Sequence, residues 1–155
     1  MSTRRTTRGV TLVEFLVVLA VVLILSSIVF QTFRTLAQSK SLNGEASRVL
    51  AELSRARSLT IASKYADQYG IHFASSSITL FQGSSYSASS ASNTVTVLSP
   101  TVQIASTSFA GGGLNVIFQR LTGATTQSGT LSIKLKNSTS SKTIIIYKTG
   151  AFEIQ

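Results

Sequence analysis

The stretch Arg8–Leu19, RGVTLVEFLVVL, sets a carboxylate, Glu14, inside a run otherwise apolar enough to enter a bilayer. An acid costs about 2–3 kcal/mol at mid-membrane and less near an end of the span. A carboxylate kept there is a candidate working part. From Val10 to Phe30 the only polar residues are Thr11, Glu14, Ser26 and Ser27. As a helix, this run spans roughly 31 Å at about 1.5 Å per residue, close to a hydrocarbon core of about 30 Å. Arg4, Arg5 and Arg8 precede it, and the flank after it, QTFRTLAQSK, is more weakly basic. The positive-inside rule then leaves the N-terminus cytoplasmic and the remainder outside. A cleaved secretory signal is the bland alternative. Against it, SSIVFQTF offers bulky residues where a small-x-small cut site is wanted, and Glu14 is out of place in such a signal.

A short basic leader, Gly9, Val10, Thr11-Leu12-Val13-Glu14 and then Phe15-Leu16-Val17-Val18-Leu19-Ala20 together resemble the prepilin signal of type IV pilins and type II secretion pseudopilins. The resemblance implies a cut between Gly9 and Val10 by a membrane-embedded prepilin peptidase, followed by N-methylation of Val10. Glu14 becomes the fifth residue of the mature chain, where that family keeps its glutamate. Val10 departs from the commoner phenylalanine or methionine. The physics of the position agrees with such a role, since a carboxylate near a helix N-terminus is favoured by the dipole and by a nearby cation. In a stack of parallel helices, Glu14 can pair with the amino terminus of an offset neighbour and set axial register, as a polar residue does in a coiled-coil core. The alternative is an interfacial acid that only marks the end of the span.

Fourteen Lys and Arg stand against five acids; without Arg4, Arg5 and Arg8, eleven bases and five acids leave +6 on residues 10–155. The charges are spread singly, unlike a nucleic-acid-binding tail. There is no cysteine, which excludes disulfides, thiolate metal sites and cysteine nucleophiles. From Ala46 the apolar positions Ala46, Val49, Leu50, Leu53, Ala56, Leu59 and Ala62 recur at threes and fours, one helical stripe. The only soft spot is Asn43-Gly44, so one long helix is expected from about Val10 to about Tyr65. β-rich runs follow: Gly70–Phe73, Ile78–Phe81, Thr94–Leu98, Val102–Ile104, Leu114–Phe118, Thr130–Leu135, Thr143–Tyr147 and Phe152–Ile154. Turn signals separate them at 83–93, Pro100, 111–113, 123–129, 137–141 and Gly150. The expected fold is α+β: a basic leader at 1–9, a transmembrane and assembly helix at 10–30, and an amphipathic continuation at 31–65. A β-rich globular head at 66–155 follows, its antiparallel sheet packed on the helical stripe.

The head carries a second, weaker resemblance. Arg55-Ala56-Arg57-Ser58-Leu59-Thr60-Ile61, then Val116-Ile117-Phe118 and Gly123, Gly129-Thr130-Leu131, and Lys148-Thr149-Gly150 look like the GspH/FimT type of minor pseudopilin. In some members with this head a C-terminal Gly-Arg-x-Arg motif is linked to DNA binding in natural transformation. Here the stretch reads Gly150-Ala151-Phe152-Glu153, with neither arginine.

Enzymatic constellations are close to absent. His72 stands alone in a strand context, the acids show no metal-ligand spacing, and Gly111-Gly112-Gly113 leads into a β-run, as a loop hinge does. No catalytic residue, metal or cofactor is expected. Lys134, Lys136, Lys142 and Lys148 offer either a solvated sheet face or a DNA-contacting one. The leading expectation is a minor pilin or pseudopilin of a bacterial inner membrane, its head periplasmic or extracellular. It would help initiate or cap a filament and pack against other pilin subunits through its helix. A DNA-binding minor pilin and a signal-anchored surface protein unrelated to pili are the alternatives.

Overall fold

The computed structural model describes residues 11–155. An α-helix, α1, runs over Leu12–Ile61, followed by a 3₁₀ turn at Lys64–Ala66 and eight strands. These are β1 (Tyr69–Ala74), β2 (Ser77–Gln82), β3 (Thr94–Val97), β4 (Val102–Phe109), β5 (Asn115–Ile117), β6 (Gly129–Leu135), β7 (Ser141–Ile146) and β8 (Phe152–Ile154). The chain divides into a unit up to Ala37 and a larger one from Gln38 to Gln155. From Leu12 onward the first is largely apolar helix with exposed side chains, Leu12 at 75% and Phe33 at 65% among them. The helix is long and apolar enough to cross a membrane. Two of its hydroxyls are satisfied locally. Ser27 Oγ donates to the Ile24 carbonyl at 2.7 Å, and Thr32 Oγ1 donates to that of Ile28 at 3.2 Å. Neither hydroxyl then leaves its donor unmet.

In the second unit, α1 buries Leu42, Ala46, Val49, Leu53, Ala56 and Thr60, a stripe at alternating spacings of four and three. It starts one turn earlier than the pattern from Ala46 suggests. Leu50 and Leu59 flank it half-buried, and Ala62 lies exposed beyond the helix end. The helix stops at Ile61, short of the expected Tyr65, because Ser63, Tyr65 and Ala66 all take left-handed φ near +50°. Thr60 ties off this end: its Oγ1 donates to the Ala56 carbonyl at 2.8 Å and accepts the Tyr69 N–H at 2.9 Å. A buried hydroxyl is thereby satisfied while the chain turns into β1.

All eight strands fall where the β-rich runs do, but they form two antiparallel sheets instead of one. Their orders are β3-β2-β1-β5 and β4-β6-β7-β8. Pro100, which lacks an N–H, separates β3 from β4, and the two strands enter different sheets. β4 is longer than Val102–Ile104 because it resumes after a bulge between Ile104 and Ser106. A bulge breaks the period-two pattern, which is why the second half of β4 reads poorly from sequence. Both sheets contribute to one core with the helix stripe: Ile71, Phe73 and Val116 from one, Leu131, Ile133 and Ile144 from the other.

The first sheet also buries part of its outer face. Phe81, opposite Gly70, is 1% exposed there, and the loop 83–93 brings Tyr86 against it. Gly70 is required by this contact, since a Cβ would meet the Phe81 ring at 2.5 Å and the Val116 carbonyl at 2.9 Å. His72, half-buried, stacks on Tyr86 with ring centroids 3.9 Å apart, and its Nδ1 is 2.7 Å from Asn115 Oδ1.

Candidate functional site

Thr11 caps the described start of α1. Its Oγ1 accepts the Glu14 backbone N–H at 3.2 Å, the N-cap to N3 bond of a capped helix start, with Glu14 at N3. In the sequence Glu14 stands out by its charge, whereas the capping role of Thr11 shows only in its spacing, a threonine three residues before a glutamate. Glu14 is exposed in the first turn, where the dipole favours its carboxylate. Gly9 and Val10, the expected cleavage and methylation positions, and the leader lie outside the described residues. At the other end of the apolar segment the Arg34 guanidinium lies over the Phe30 ring at 4.4 Å, a placement suited to a cation leaving hydrocarbon.

The four lysines do not make one face. Lys134 on β6 pairs opposite Ser141, while Lys142 on β7 pairs opposite Ile133. Directly opposed residues project to the same side of a sheet, so Lys142 falls on the side of the core residue Ile133 and Lys134 on the other. Lys136 lies in the turn after β6, and Lys148 lies beyond β7. Within its own strand Lys134 alternates with the buried Leu131, Ile133 and Leu135. A shared face across strands cannot be read along one run, because register is set by the turn.

Residues quoted in the second resemblance do meet. Arg57 donates from Nε to the Gly123 carbonyl at 3.3 Å and from Nη2 to the Thr149 carbonyl at 3.4 Å. Gly150, at φ +76°, packs against the Gly123 backbone so closely that a Cβ would collide with that carbonyl. One half-buried guanidinium thus joins the end of the helix to two loops. A nearby pair, Tyr147 Oη donating to Glu153 Oε1, links the end of β7 to β8. The carboxylate acceptor raises the Tyr147 pKa above its ordinary value. Among the described residues no group of three His, Asp or Glu side chains is placed to hold a metal ion.

A long N-terminal helix leading into two antiparallel four-stranded sheets is a pilin-like α+β arrangement. Residues 4–30 match the family described as the prokaryotic N-terminal methylation motif. The match covers the leader and apolar segment, leaves the head unmatched, and makes the chain a type IV pilin-like protein bearing that motif. No curated protein and no solved structure matches the chain.

Proposed function

We propose that this protein is a minor pilin or pseudopilin of the GspH/FimT type, cut after Gly9 by a prepilin peptidase and N-methylated at Val10. It spans a bacterial inner membrane once, with the head periplasmic or extracellular, and enters a type IV pilus or type II secretion pseudopilus at its initiating or capping end. The observation that carries this reading is the methylation motif on residues 4–30, overlapping a helix whose apolar side chains from Leu12 to Leu36 are exposed. Such a helix needs either lipid or other helices around it. Glu14, at the N3 position of a capped start, is the group able to pair with a neighbour's amino terminus. The reading is tested by recovery of the chain in sheared filaments from cells that carry the assembly machinery. Wild type is expected in the filament fraction, Gly9→Val only in membranes and uncut, and Glu14→Ala cut but depleted from filaments. Normal incorporation of Gly9→Val would defeat it. The placement of Lys134 and Lys142 on opposite sides of their sheet speaks against a DNA-binding strand face as the second reading.

A further inference from the structure

The two sheets have four edges, and three are guarded. β4 is bent by its bulge, and its Ile104 N–H is taken by the Ser75 carbonyl. On β5 the outward Ile117 N–H donates to Gln127 Oε1. β8 has only three residues. These are the ordinary devices that keep a sheet from adding strands. The remaining edge, β3, has neither a bulge nor a lysine nor a proline within it.

Register shows what β3 offers. Leu98 N–H bonds the Ser76 carbonyl, and Thr96 and Thr94 pair with Ile78 and Leu80, so the backbone groups of Thr94, Thr96 and Leu98 turn towards β2. The N–H and C=O of Val95 and the N–H of Val97 therefore point away from the sheet. The Val97 carbonyl accepts from Arg48 Nη1 at 3.1 Å. The side chains are inverted relative to a normal amphipathic strand. Thr96 faces the helix and donates to Glu52 Oε1, while Val95 and Val97 stand 59% and 65% exposed. Exposed valines beside unpaired backbone groups are the parts of a strand-addition site.

The charges beside this edge say what fits. Arg48 and Arg55 lie on the helix face that borders β3, with side chains 51% and 53% exposed. Their own carboxylates, Glu45 and Glu52, are turned inward at 13% and 18%, and each has an oxygen without a hydrogen-bond donor. An arriving segment meets the guanidiniums first. From Gln38 to Gln155 the chain has ten bases and four acids, which disfavours a second copy as the occupant.

We propose that β3 is a strand-addition edge for an extended segment of a different polypeptide, with alternating apolar and acidic side chains. Its apolar residues pack on Val95 and Val97, its backbone pairs with Val95 and the Val97 N–H, and its carboxylates face Arg48 and Arg55. The inference does not depend on the pilin reading. The test uses the full chain in detergent micelles and two labelled synthetic peptides, one alternating valine with glutamate and one alternating valine with lysine, followed by fluorescence anisotropy. The valine–glutamate peptide is expected to bind at least roughly tenfold tighter than its lysine counterpart, an advantage that shrinks as salt screens the charges. Val97→Pro removes an outward N–H that the fold does not use, and is expected to weaken binding by roughly tenfold or more. Arg55→Glu, a change at an exposed position, is expected to abolish the preference for glutamate whether or not the proline variant folds. Absence of binding, equal binding of the two peptides, or a preference unchanged by Arg55→Glu would each overturn the proposal. So would self-association of the full chain that is lost in Val97→Pro, since it would make a second copy the occupant.

Discussion

Glu14 has two separable roles at one position, a charge and a place in a cap. Glu14→Gln keeps the N3 side chain's shape and hydrogen-bonding capacity while removing the charge. If the carboxylate sets register between subunits, Glu14→Gln should be depleted from filaments as strongly as Glu14→Ala, while Thr11→Ala, losing about 1 kcal/mol of cap, should assemble nearly normally. The reverse ranking, read from the same filament fractions, would make the cap the working feature. Glu14 was legible in the sequence because a charge in an apolar run is costly. Thr11 was legible too, through its spacing, yet a hydroxyl raises no such alarm. Tyr69 shows what was not legible. Burial, with Tyr65 and Asp67 nearby, raises its pKa above 10.0. A phenol whose folded pKa is raised contributes stability that is fully present below the unfolded value and is lost as pH rises through the folded one. Unfolding midpoints should therefore hold below pH 10.0 and fall above it, and Tyr69→Phe should flatten that fall.

At the scale of elements, the close contacts that join strands to loops carry the predictions. Gly70→Ala forces a methyl into the Phe81 ring and the Val116 carbonyl. It should cost about 1–3 kcal/mol, the usual range for overpacking, measured by denaturant unfolding in micelles. A smaller loss would mean that Tyr86 and its loop give way easily. Arg57→Ala leaves the Gly123 and Thr149 carbonyls without their guanidinium. Because the site is partly exposed, the loss should be about 1 kcal/mol, below the range for charge-assisted bonds at buried sites. Arg57→Lys should recover little of it, since an ammonium cannot span two carbonyls as a planar fork does. Strand positions were readable because alternation and turn residues are local. The division into two sheets, the β4 bulge and the side on which Lys142 falls depend on which strand pairs with which. That pairing is fixed by contacts far apart in sequence.

For the whole molecule, one stripe on α1 organises the head, while the proposed function assigns insertion and assembly to the apolar segment before it. Leu53, fully buried at the centre of the stripe, tests the first half of that statement. Leu53→Ala should cost about 2–5 kcal/mol and expose the head to proteolysis without altering cleavage of the leader. The second half rests on residues 4–30, and the intact mass of the mature chain tests it most directly. Protein recovered from cells containing a prepilin peptidase should begin at Val10 and carry one added methyl group. A mature chain that retains Gly9, or one cut beyond the apolar segment, would contradict the account.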